Sequence, residues 1–87
     1  MYEVLFSERA IKDRELLKSA GLSEKARALC KILAEDPFRN PPPYEKHVGD
    51  LSGSYSRRIN VQHRVVYEVD KERHIVYVMR MWSNCEY

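Results

Sequence analysis

The spacing of apolar residues changes period along this chain, and the changes divide it into elements. Tyr2-Glu3-Val4-Leu5-Phe6 is a short β-favouring run and predicts a strand. Ser7 follows as a natural N-cap, with Glu8 in the first turn, where the helix dipole favours an anion. Ala10, Ile11, Arg14, Leu17 and Lys18 then fall at helical spacing, and Ala20-Gly21 stops that helix. Ser23 caps a second helix, with Glu24 in its first turn. Its apolar positions Ala26, Leu29, Cys30, Leu33 and Ala34 step by three and four, a stripe suited to facing a sheet. Asp36-Pro37 ends it, because the residue before a proline resists the helical conformation.

Arg39-Asn40-Pro41-Pro42-Pro43 predicts a rigid, extended connection that fixes the backbone ahead of Glu45. Leu51-Ser52-Gly53-Ser54 is a turn signal. Strands follow over 55–60 and 64–69, then a turn at Asp70-Lys71-Glu72-Arg73 and a last strand over 74–81. A three-residue loop, Val61-Gln62-His63, pairs Asn60 with Arg64 and Arg58 with Val66. That register turns Ile59, Val65 and Tyr67 toward the helices and puts Arg58 and Arg64 together on the opposite face. The order is β-α-α-β-β-β, with an extra short strand near 44–48 left open. The expected class is α+β: two N-terminal helices on one face of a mostly antiparallel, twisted sheet, whose other face is uncovered.

With 87 residues, 44% of them hydrophobic and 32% charged, the chain is a single domain, 1–87, with one modest core. It has no apolar run long enough for a bilayer and no signal-peptide pattern at its start, so a cytoplasmic protein is expected. Two cysteines are too few for a disulfide scaffold, and Cys30 on the helical stripe reads as an inert thiol. His47, His63 and His74 are not at ligand spacing, so no metal or other cofactor is expected.

The net charge of +2 says little, but its distribution matters. Residues 1–36 balance seven cations against seven anions, whereas 37–69 carry Arg39, Lys46, Arg57, Arg58 and Arg64 against Glu45, Asp50 and Glu68. One carboxylate, Glu45, is thus set among arginines beside a Gly/Ser turn. Such a set suits RNA cleavage, and it equally suits an ordinary solvated hairpin.

The run Glu45 … Leu51-Ser52-Gly53-Ser54-Tyr55-Ser56-Arg57-Arg58-Ile59-Asn60 … His63-Arg64-Val65-Val66-Tyr67 resembles the signature of the Txe/YoeB toxins, in the RelE superfamily of bacterial toxin–antitoxin modules. The likeness extends over nearly the whole chain, including Asp36-Pro37-Phe38 before the prolines. It implies a RelE-like, microbial-ribonuclease-like sheet and an mRNA endonuclease that cuts in the A-site codon of the translating ribosome. It also implies a YefM/Axe-like antitoxin partner, with operator DNA bound only through the toxin–antitoxin complex. Carried across by position, Glu45 matches the catalytic acid of the family, Arg64 its catalytic arginine, and Arg58 the second of its paired arginines, which holds phosphate. The tail departs from the pattern. Where the family commonly ends in His-Tyr, this chain has Asn84 and Cys85; Asn cannot donate a proton as an acid, and a thiol replaces the phenol. The departure leaves a second reading, a catalytically weakened toxin that serves as an antitoxin-binding module and transcriptional corepressor.

The chemistry expected from this resemblance is attack of the RNA 2′-hydroxyl on the adjacent phosphorus with loss of the 5′-oxygen. Glu45 then takes the 2′ proton, while Arg64 and Arg58 fork onto the phosphorane and supply the positive charge without a metal. Arginines beside the carboxylate favour its ionised form, as a base needs. Lys46, Arg57 and Arg58 are the expected RNA-binding cations. Tyr55, like Tyr44, is a base-stacking residue or a core residue. The leaving-group acid stays open among Lys46, His47, His63 and Tyr87, and Trp82 is expected to pack in the core.

Overall fold

The computed structural model describes residues 1–47 and 53–82. Its elements are β1 (Glu3–Phe6), α1 (Glu8–Ser19), α2 (Ser23–Glu35), β2 (Glu45–Lys46), β3 (Ser54–Arg58), β4 (Arg64–Asp70) and β5 (Ile75–Arg80). The strands form one mixed sheet in the order β1-β5-β4-β3-β2, parallel only between β1 and β5. This is the expected α+β arrangement, with the short strand near 44–48 present as β2.

The Ser7 hydroxyl caps α1 by accepting from the Ala10 amide at 3.0 Å, and it donates to the Met79 carbonyl at 2.8 Å, which ties the helix start to β5. At the other end Gly21 takes φ +73°, a conformation that only glycine adopts without strain. Its amide reaches the Lys18 carbonyl and the Leu22 amide reaches that of Leu17, satisfying two carbonyls of the last turn. Leu22, not Ser23, occupies the N-cap position of α2, with no side-chain hydrogen bond. The buried stripe of α1 is Ala10, Asp13 and Leu17. Ile11, which the spacing placed on that stripe, is exposed, as are Arg14 and Lys18. Leu17, Leu29 and Leu33 pack with Ile59, Val65, Tyr67, Val76, Val78 and Met81 in one core. Each fully buried aliphatic side chain there contributes about 1.5–3 kcal/mol.

Asp13 is the one acid in that stripe, 5% exposed. Its Oδ2 accepts from Arg80 Nε at 3.2 Å and from the Met81 amide at 3.0 Å, fastening the end of β5 to α1. Asp13→Ala leaves both donors without their acceptor and is expected to lower stability by about 2–3 kcal/mol, measured by urea unfolding.

Two expectations about the second half are corrected. Arg58 pairs with Arg64 and Ser56 with Val66, a register two residues away from the expected one. The Asn60 side chain causes the difference. Its Oδ1 accepts from the Gln62 and His63 amides at 2.9 and 2.7 Å, while the Ile59 amide reaches the His63 carbonyl at 2.8 Å. This Asx turn ends β3 at Arg58 and lengthens the loop. A shift of two preserves side-chain faces, so Arg58 and Arg64 still share one. The second correction concerns the prolines. Residues 40–42 bend instead of running extended, and with 36–44 they cover the inner face of the sheet beyond the helices.

Candidate active site

The sheet face opposite the helices presents alternate residues of three neighbouring strands. Glu45 pairs with Ser56, and Ser56 with Val66, so these three form one cross-strand row. Arg58 and Arg64 form the next row. Arg64 reaches diagonally across β3, and its Nη1 lies 3.3 Å from Glu45 Oε2. The residue between them is Ser56, small enough to leave that path open; its Oγ is buried with no hydrogen-bond partner. Arg58 is exposed and makes no ion pair among the described residues.

The Glu45–Arg64 pair is half in water, with side chains 62% and 25% exposed. A pair of that kind is worth about 0–1 kcal/mol, so an incoming phosphate can take the guanidinium without a large cost. Glu45, Arg58 and Arg64 therefore offer one anionic and two cationic groups to a ligand laid across β2, β3 and β4.

Three of the expected RNA contacts are not on this face. Lys46 pairs with Tyr55, so both turn away from Glu45. Tyr55 belongs instead to an aromatic cluster: its ring centroid lies 5.3 Å from Phe38, 5.9 Å from Tyr44 and 5.7 Å from Tyr67. Lys46 is exposed at the sheet edge, pointing to that other side. Arg57 is 2% exposed and cannot touch RNA; its guanidinium is committed to backbone carbonyls in the 37–42 segment.

A model of the family described as "YoeB-like toxin of bacterial type II toxin-antitoxin system" matches residues 6–82. The chain belongs to this family. It is 42% identical over 57 residues to Toxin YoeB of Synechocystis sp., a match covering 66% of this chain and 59% of that protein. Its structure resembles the YoeB/ParE toxin from Agrobacterium tumefaciens, with TM-score 0.86 and 26% identity over 95% of this chain and 99% of that one. It also resembles a chain of the YoeB-YefM complex from Staphylococcus aureus, with TM-score 0.80 and 26% identity over 98% and 99% of the two chains.

In this YoeB-like toxin Asn84, Cys85 and Tyr87 lie outside the described residues, and outside the segment matched by the family model. The approach to that tail is described. Trp82 stacks on His63 with centroids 3.9 Å apart and planes 19° apart, and it packs against the core as expected. His63 is buried in this stack. His47, two residues after Glu45, is half-buried, and its amide donates to the Ser54 carbonyl at 2.9 Å.

The sequence spacing did not disclose the roles of two buried polar groups, Asp13 on α1 and the hydroxyl of the inner-face Tyr67. Asp13 fell three after Ala10 and four before Leu17, so an acid in the apolar stripe was the available signal. Tyr67 donates from its hydroxyl to the Pro37 carbonyl at 3.0 Å. Burial pushes that phenol up to about 12, against the opposing pull of Arg57, so it stays a donor throughout the physiological range. Burial likewise pushes the Cys30 thiol up to about 11, with Arg14 opposing, which keeps it unreactive at neutral pH.

Proposed function

We propose that this YoeB-like toxin is an endoribonuclease of the cytoplasm that cuts mRNA in the ribosomal A site and so stops translation. Glu45 acts as general base on the 2′-hydroxyl. Arg64 and Arg58 hold the phosphate and stabilise the phosphorane as charge builds on it. The observation that carries this reading is the 3.3 Å approach of Arg64 to Glu45, with Arg58 directly opposite Arg64 on the sheet face away from the helices. One ribose-phosphate can meet all three groups there. A YefM/Axe-like antitoxin is its partner, and operator DNA is reached only through that complex.

Inducing the chain in a bacterial host is expected to arrest growth and to leave messages cut within their reading frames, mapped by primer extension. The same message without a start codon is expected to stay intact; equal cutting of both contradicts ribosome dependence. Asn84 and Cys85, in the positions where the family likeness leads one to look for His-Tyr, support the second reading. If the natural chain permits normal growth while Asn84→His with Cys85→Tyr arrests it, the protein is a weakened toxin that holds antitoxin and represses.

A further inference from the structure

We propose that Arg57 is the positioning residue for Glu45, a buried strut that shapes the backbone delivering the carboxylate to the open face. The inference rests on the role given to Glu45 above.

Arg57 is a cation inside the protein with no carboxylate paired to it among the described residues. Removing a guanidinium from water costs several kcal/mol unless its donors are used. Here Nη2 donates to the Pro37 and Arg39 carbonyls at 2.9 and 2.8 Å, and Nη1 donates to the Pro42 carbonyl. The guanidinium carbon also lies 5.0 Å from the centroid of the Tyr44 ring. The planar fork of arginine suits this task, since it reaches several carbonyls in fixed directions.

The segment it gathers needs such a donor. Pro41, Pro42 and Pro43 have no amide hydrogen, so this stretch cannot order itself through its own ladder of backbone bonds. Pro42 is only three residues ahead of Glu45. The strand that receives Glu45 is two residues long and lies at the sheet edge, too short to hold itself in place. Three consecutive residues of β3 thus set the site: Ser56 pairs with Glu45, Arg57 fixes its approach from inside, and Arg58 shares its face.

The test compares Arg57→Lys and Arg57→Met in single-turnover cleavage of a message on programmed ribosomes, together with backbone amide exchange. Arg57→Lys is expected to lower the rate at saturation by about 10–100-fold, the scale of an ångström-sized misplacement, with the half-saturating concentration within about twofold of wild type. Arg57→Met is expected to lose more. In a Glu45→Ala background Arg57→Lys is expected to cost nothing further, because the two act as one unit. Exchange is expected to quicken at Phe38, Arg39 and 44–46 while β4 and β5 keep their protection. A further loss in the Glu45→Ala background, a raised half-saturating concentration, or faster exchange spread evenly over the sheet overturns the proposal. If the wild-type chain cleaves nothing, the nuclease reading fails, and the exchange pattern alone decides whether Arg57 holds Glu45.

Discussion

Glu45→Ala is expected to lower single-turnover cleavage on programmed ribosomes by about 10²–10⁴, the usual loss when a general base is removed. The half-saturating concentration should not rise. Under the proposed function Glu45, 3.3 Å from Arg64, competes with phosphate for that guanidinium, so removing the carboxylate should leave it more available to RNA. Stability gives the control. The pair is exposed enough to contribute only about 0–1 kcal/mol, so the variant should unfold within a few degrees of wild type. A fall in rate matched by a large fall in melting temperature would mean that Glu45 is structural.

Arg64→Ala is the second large effect, with an expected loss of about 10²–10³ in the saturating rate, typical of losing one donor to a developing oxyanion. Binding should weaken as well, because the proposed role has the same guanidinium meet phosphate in the ground state. Arg64→Lys restores the charge without the fork, and it should recover binding more fully than rate. Equal recovery of both would reduce Arg64 to a point charge. Arg64 is half-buried and spans β3 above Ser56, so the lysine must make the same diagonal reach with a more flexible stem.

Much of this was legible from residue spacing, and the failures have identifiable causes. The Ser7 cap, the Gly21 stop and the α2 stripe are local, and local chemistry decided them. Arg58 and Arg64 share a face even though the pairing register is two residues away from the expected one, because strand faces repeat every two residues. The Asn60 side chain, bonding to amides two and three residues on, moved the register, and turn composition alone did not disclose it. Arg57 was open to a better reading. Ile59 was already assigned to the inner face, and the residue two before it on a strand must point the same way. Reading Arg57, Arg58 and Arg64 as one cationic patch overrode that alternation. Tyr55, four before Ile59, was open to the same reading, whereas Lys46 required knowing that 45–46 form a strand, paired across the fold with Tyr55 and Ser56. Asp13 shows the reverse case, an acid in an apolar stripe whose partners, Arg80 and Met81, are 67 and 68 residues away.

In the proposed reaction one ribose-phosphate is attacked by its own 2′-oxygen between Glu45, Arg58 and Arg64. The most direct measurement uses two messages on programmed ribosomes, identical except for a single 2′-deoxynucleotide on the 5′ side of the cut. The all-ribose message should be cut to a 2′,3′-cyclic phosphate end, and the deoxy message should remain whole at that site. Cleavage of both at similar rates would contradict the account, because no 2′-oxygen would then be needed.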